Sequence, residues 1–244
     1  MIGITFALPA ESAEMMRKAA GTRTRRENGT VVTFARISGR EIAISHTGVG
    51  QNHCRPAVES FLEMTAPQVM ISSGFAGSIS GNLDVGDVVV AENFSDPVLA
   101  DEVIQKIHRV RRVKLVTVDK MVDSGSDRAG IAREHSADAI DMETETIADV
   151  CRRRAVPMLS LRIVSDSPAA PFPAPGEILF DVEHQKTNFA RLLPYLVTHP
   201  SAIGRLIRFT RQIVEVRASL ADALIEVVTK LSLGENEPRR HVQH

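Results

Sequence analysis

A chain of 244 residues with 43% hydrophobic content can bury a sizeable core and fits one α/β domain. Its 29 Lys plus Arg nearly cancel 30 Asp plus Glu, so the balance favours neither nucleic acid nor an anionic membrane as partner and points to a small ligand. The two cysteines, Cys54 and Cys151, fall in no C-x-x-C or Cys/His spacing, which argues against zinc and suits buried thiols in a reducing compartment. No metal or cofactor is expected. The start MIGITFALPAES carries no basic leader and no apolar run approaches a membrane span, so the expected location is the cytoplasm.

Apolar runs rich in β-branched residues predict strands over residues 2–8, 31–37, 42–45, 69–72, 85–91, 114–118 and 158–164. The second and third of these turn at Ser38-Gly39-Arg40, a hairpin that makes a mixed sheet the expectation. Helical spacing recurs at Val58, Phe61 and Leu62 after the possible cap Asn52, and at Ile147, Val150 and Cys151 after residues 141–143. Pro168, Pro171, Pro173 and Pro175 exclude regular structure after Asp166 and make that stretch a candidate lid. Residues 201–231 form a long amphipathic pattern, with Ile203, Leu206, Ile207, Ile213, Val214, Leu220, Leu224, Val227 and Val228 apolar and Arg205, Arg208, Arg211 and Arg217 interspersed. Packing on the domain or on a partner subunit is preferred for it over a lipid-facing role.

Three carboxylate-bearing segments, Pro9-Ala10-Glu11, Asp141-Met142-Glu143 and Ser165-Asp166, lie where apolar runs give way to turns or helices. Acids gathered from strand ends onto one rim of a sheet are held rigidly while remaining open to substrate, which points to an enzyme. Acids at such positions also serve as helix caps, solvated turn residues or structural acceptors, and Asp141, which precedes a helix, and Asp119 are read as a cap or structural acceptor. No G-x-G-x-x-G opens a helix after the first strand, which argues against a dinucleotide-dependent oxidoreductase.

The residues 3–11 (GITFALPAE), 47–52 (TGVGQN), 73–77 (SGFAG), 83–90 (LDVGDVVV), 141–143 (DME), 156–157 (VP) and 162–166 (RIVSD) occur in an order and spacing that resemble the purine nucleoside phosphorylase and nucleosidase superfamily, in particular methylthioadenosine/S-adenosylhomocysteine nucleosidases. The resemblance covers residues 1–198 and leaves 199–244 as a C-terminal helical extension. It implies a single α/β domain around a mixed, partly barrel-like sheet flanked by helices, a homodimer or larger oligomer, and cleavage of the N-glycosidic bond of a purine nucleoside.

Breaking that bond builds positive charge on the sugar and negative charge on the base, so a proton donor and a held nucleophile are needed. The resemblance assigns the donor to Asp166, oriented by Ser165, and the positioning of water to Glu11. It gives the ribose hydroxyls to Glu143, with Met142 packed on the sugar, and the loop near the nucleophile to Phe75, Ala76 and Gly77. The base-binding strand corresponds to Met121 and Val122, where an aromatic residue usually stacks. Phe75 replaces a small hydroxyl residue, and residues 91–101 are too few for the segment that covers the 5′ end in typical nucleosidases. With the amphipathic extension, these departures resemble superfamily members tied to hopanoid synthesis, which remove adenine from adenosylhopane. The loops 47–52 and 72–77 contain no arginine, so hydrolysis is preferred to phosphorolysis, for which Arg36, Arg40 or Arg55 would have to supply the anion site. A non-catalytic nucleoside-binding scaffold is the rival least compatible with all three acids being present.

Overall fold

The computed structural model describes residues 1–27, 29–187 and 189–233; the last eleven residues of the expected extension, 234–244, lie outside the described residues. The chain begins with β1 (Ile2–Phe6), α1 (Pro9–Lys18), β2 (Ala20–Glu27), β3 (Thr30–Ile37), β4 (Arg40–His46) and α2 (Gln51–Thr65). It continues through β5 (Val69–Ser78), β6 (Val88–Ala91), α3 (Pro97–Lys106), β7 (Val110–Val113), β8 (Leu115–Thr117), α4 (Gly125–His135), β9 (Ala139–Asp141), α5 (Thr144–Arg153) and β10 (Met158–Asp166). After β10 come α6 (Gly176–Leu179), the small pair β11 (Phe180–Asp181) and β12 (Lys186–Thr187), α7 (Phe189–Thr198) and α8 (Ser201–Lys230).

Ten strands make one mixed sheet in the order β2-β3-β4-β1-β5-β10-β6-β7, with β9 joining β5 to β8. The centre, β4-β1-β5-β10, is parallel, which sends the ends of β1, β5 and β10 to the same rim. At that rim the register of β10 against β5 shifts between Val164 and Asp166, a bulge that leaves Ser165 unpaired beside the partner strand and re-aims the residues around it. The expected hairpin is present. Ser38 (φ 50°) and Gly39 (φ 79°) both take the left-handed conformation that a two-residue turn with the twist of its strands demands.

Strands absent from the sequence expectation have evident reasons. β2 (AGTRTRRE) is exposed throughout and carries no apolar run, β7 reads VRRV, and β9 is three residues long. β5 continues six residues beyond the expected end at Ser72 because Gly74 and Gly77, which read as loop, carry the strand over to pair with β10 and β9. Helix α2 begins after Gly50 (φ 88°) rather than Asn52, which lies inside it.

The main core lies between the sheet and α8. Ile2, Ile4, Phe6, Ile44, Leu159 and Leu161 meet Val216, Leu220, Leu224, Val227 and Val228 there. Each such side chain contributes about 1.5–3 kcal/mol by leaving water. On the opposite face α2 and α5 enclose Cys54, Phe61, Met70, Ile147 and Cys151. The amphipathic pattern of α8 therefore divides: from Val216 onward it is core, whereas Ile203, Ile207 and Val214 are 45–52% exposed. No helix among the described residues is long and apolar enough to cross a membrane.

Candidate active site

Glu11 sits in the first turn of α1, started by Pro9 at the end of β1. Its carboxylate accepts the backbone N–H groups of Leu8 (2.9 Å) and Phe75 (3.2 Å), so it closes its own helix terminus and ties it to β5. A Cβ on Gly74 would stand 2.9 Å from a Glu11 oxygen, and Gly74 has φ of 153°, so that position requires glycine. Burial pushes the Glu11 carboxyl up, against the two amides and Arg162, which pull it down.

Asp141 ends β9 and Glu143 precedes α5. Asp141 accepts from Thr117 Oγ1 (2.8 Å), the Thr144 amide and hydroxyl, and Arg162 Nε (3.0 Å). It is thus a structural acceptor, and Arg162, buried, also donates to Ser72 and Thr144. Glu143 accepts the Gly50 N–H at 2.7 Å. Burial, with Asp141 close by, pushes its carboxyl up to about 8. Asp119, the other acid read as structural, accepts from Gln51 at 2.9 Å.

Asp166 ends β10. One oxygen accepts the Ser165 hydroxyl (2.7 Å), and the other is held by Arg128 Nη2 in an ion pair with both side chains buried. Burial raises the carboxyl above its ordinary range, while Arg128 and Ser165 oppose that rise. Gln212 of α8 donates to the Ser165 carbonyl at 2.8 Å, fixing this strand end from outside the sheet.

Glu11, Phe75, Ala76, Gly77, Met121, Val122, Met142, Glu143, Ser165 and Asp166 all line one cavity of about 420 Å³. The sequence reading did not single out Arg128, Phe172 or Phe209, which also line it, and named Ile213, a further lining residue, only as part of the amphipathic pattern. Phe172, in the proline-rich loop, meets Phe209 of α8 edge to face at 5.6 Å between ring centres. The local signs of that wall were the proline-rich stretch after Asp166 and the apolar stripe of 201–231. Arg128 had none, because its partners lie far off in sequence.

A niche of about 10 Å³ sits among Thr5, Glu11, Ser73, Gly74, Glu143 and Arg162. Thr5 Oγ1 and Ser73 Oγ, both buried, have no hydrogen-bond partner among the described residues. Arg36 pairs with Glu41, Arg40 reaches the Leu231 carbonyl, and Arg55 pairs with Asp149; none lines the cavity. A separate cavity of about 430 Å³ near Cys151 and Met158 holds one acid, Asp96, whose carboxylate caps α3.

The description that matches this sequence is the Phosphorylase superfamily, over residues 1–103 and 92–198, and the chain belongs to that superfamily. A 5′-methylthioadenosine/S-adenosylhomocysteine nucleosidase of Haemophilus influenzae (strain 86-028NP) is 26% identical over 196 residues, covering 68% of this chain and 85% of the relative. The fold is similar to that of the S. pneumoniae 5′-methylthioadenosine/S-adenosylhomocysteine nucleosidase solved with a transition-state inhibitor, at TM-score 0.72 and 19% identity over 95% of this chain and 99% of that one. It is also similar to a Helicobacter pylori futalosine hydrolase mutant, at TM-score 0.70 and 20% identity over 94% and 99% of the two chains.

Proposed function

We propose that this protein is a nucleosidase that cleaves the N-glycosidic bond of a purine nucleoside, adenine-based and substituted at the 5′ position, by protonating the base and admitting water to the anomeric carbon. The observation that carries this reading is the convergence of Glu11, Glu143 and Asp166 on one cavity of about 420 Å³ in a member of the Phosphorylase superfamily. Asp166, on the β10 rim, donates its proton to the purine N7 as the bond breaks. Such general acid catalysis contributes about 10²–10⁴-fold. Ser165 orients the donor.

Glu143 accepts the ribose hydroxyls and, ionised, faces the developing sugar cation, with Met142 against the ring. Glu11 holds the water. Each of its oxygens already accepts one amide, and each keeps a second lone pair for the nucleophile. Arg36, Arg40 and Arg55, the arginines named for an anion site, lie outside this cavity, which supports hydrolysis over phosphorolysis. The wall of Phe172, Phe209 and Ile213 favours a substrate with apolar surface, of which an adenosylhopane-type nucleoside is the extreme case.

In this reading residues 1–198 supply the carboxylates and the helix beyond them completes the wall. The same resemblance carries the proposal of a cytoplasmic homodimer, which light scattering and cell fractionation check. The deciding experiment is base release from a nucleoside panel with and without phosphate. Free sugar as product and indifference to phosphate are expected, with Glu11→Ala losing most activity. Sugar 1-phosphate formed only when phosphate is present would overturn the hydrolytic mechanism.

A further inference from the structure

We propose that Arg128 is a positioning residue that holds one carboxylate oxygen of Asp166 and sets the alkaline limit of proton donation to the base. The inference rests on the reading of Asp166 as the acid.

The guanidinium is fixed without help from Asp166. Its Nε donates to the Val122 carbonyl at 2.9 Å and its Nη1 to the Ser78 carbonyl at 3.0 Å, which anchors it to the loop before α4 and to the end of β5. Only Nη2 reaches Asp166. The cation therefore stays in place whether Asp166 is charged or neutral. The space for the pair depends on Gly77, where a Cβ would lie 3.0 Å from the bonded Asp166 oxygen and 3.4 Å from Arg128 Nη1. Arg128 is one of the largest fully buried side chains of the molecule, and it also forms part of the cavity wall.

A buried cation needs an anionic partner, and Arg128 cannot shed its own proton. It therefore favours the ionised form of Asp166, whereas burial favours the neutral form that can donate. The other charged groups bearing on Asp166 are few. Asp123, in the loop before α4, acts against Arg128. Lys120, Asp141, Glu11 and Glu143 line the same cavity, and α8 faces it with the uncharged Phe209 and Ile213. Arg128 is the cation in contact, so its removal takes away the main opposition to desolvation and leaves the Ser165 hydrogen bond. Asp166 then keeps its proton to higher pH.

The test is the pH profile of kcat/KM for base release by the wild type, Arg128→Gln and Arg128→Lys, with circular dichroism as the folding control. Activity falls as Asp166 loses its proton, so the alkaline limb is expected to move upward by about one to three pH units in Arg128→Gln, the range over which an adjacent arginine displaces an aspartate. The maximal rate falls at the same time because the carboxyl is less well oriented. Arg128→Lys keeps the charge and is expected to leave the limb close to that of the wild type. It carries the test if the glutamine variant does not fold.

A folded Arg128→Gln enzyme with an unmoved limb, or a lysine variant with a moved one, would overturn the proposal. Asp166→Asn is measured in parallel. If it releases base normally, the reading of Asp166 as the acid fails, whereas a dead Asp166→Asn with an unmoved Arg128→Gln limb defeats only the role given to Arg128.

Discussion

Arg162–Asp141 and Arg128–Asp166 are both buried arginine–aspartate pairs beside the same cavity, but their aspartates have very different surroundings. Asp141 accepts from Thr117 on β8, from the Thr144 amide and hydroxyl at the start of α5, and from Arg162 on β10. Its lone pairs are committed to holding three elements together. Among the described residues Asp166 accepts side-chain donors from Ser165 and Arg128 alone, which leaves acceptor capacity facing the cavity. The number of donors, not the kind of pair, separates a scaffold from a candidate acid.

The sharpest break in that comparison is expected from Asp166→Asn. The amide keeps the shape but has no carboxyl proton to give, so base release should drop by about 10²–10⁴-fold while ligand affinity, read by calorimetry, changes little. Both substitutions leave a buried arginine without its anion and should lower stability, but Asp141→Asn should keep most of its turnover. It leaves Arg162 as a buried cation without its anion, a change that costs about 3–5 kcal/mol in comparable sites and is measured by urea unfolding. Activity per folded molecule should fall much less than in Asp166→Asn. An equal loss of turnover per folded molecule in the two variants would erase the distinction.

This division was only partly legible in the sequence. The short motifs located Glu11, Glu143 and Asp166 because each sits within a few residues of a strand end, where an apolar run stops. Asp141 could be read as a cap or a structural acceptor because it precedes a helix. Arg162 lay inside the RIVSD segment and Arg128 on a helix with no marked apolar face, yet neither announced its partner. Burial of a charge depends on a counter-charge 21 or 38 residues away, a long-range property that local patterns do not carry. The same limit hid β2, β7 and β9, whose existence depends on a neighbouring strand rather than on their own apolar content. The long pattern of 201–231 gave the helix, but not the change at Val216 from an exposed apolar stripe to core.

The smallest expected effect concerns Glu143, which stands between the two pairs in character. It accepts one backbone N–H, lies close to Asp141, and is pushed up to about 8 by burial and that neighbouring charge. A group with this value is neutral over most of its population at pH 7 and ionised over most of it at pH 9. Accepting two ribose hydroxyls uses the ionised form, so the sign is fixed: KM for a riboside should fall as pH rises through about 8. The ionised fraction grows about tenfold over that span, which bounds the change in KM at about tenfold. Glu143→Gln should show weaker binding with no such pH response, and a 2′-deoxy substrate should respond less than its ribo counterpart. A KM that is flat from pH 7 to 9 in the wild type would separate Glu143 from the sugar and leave it, like Asp141, a structural acceptor.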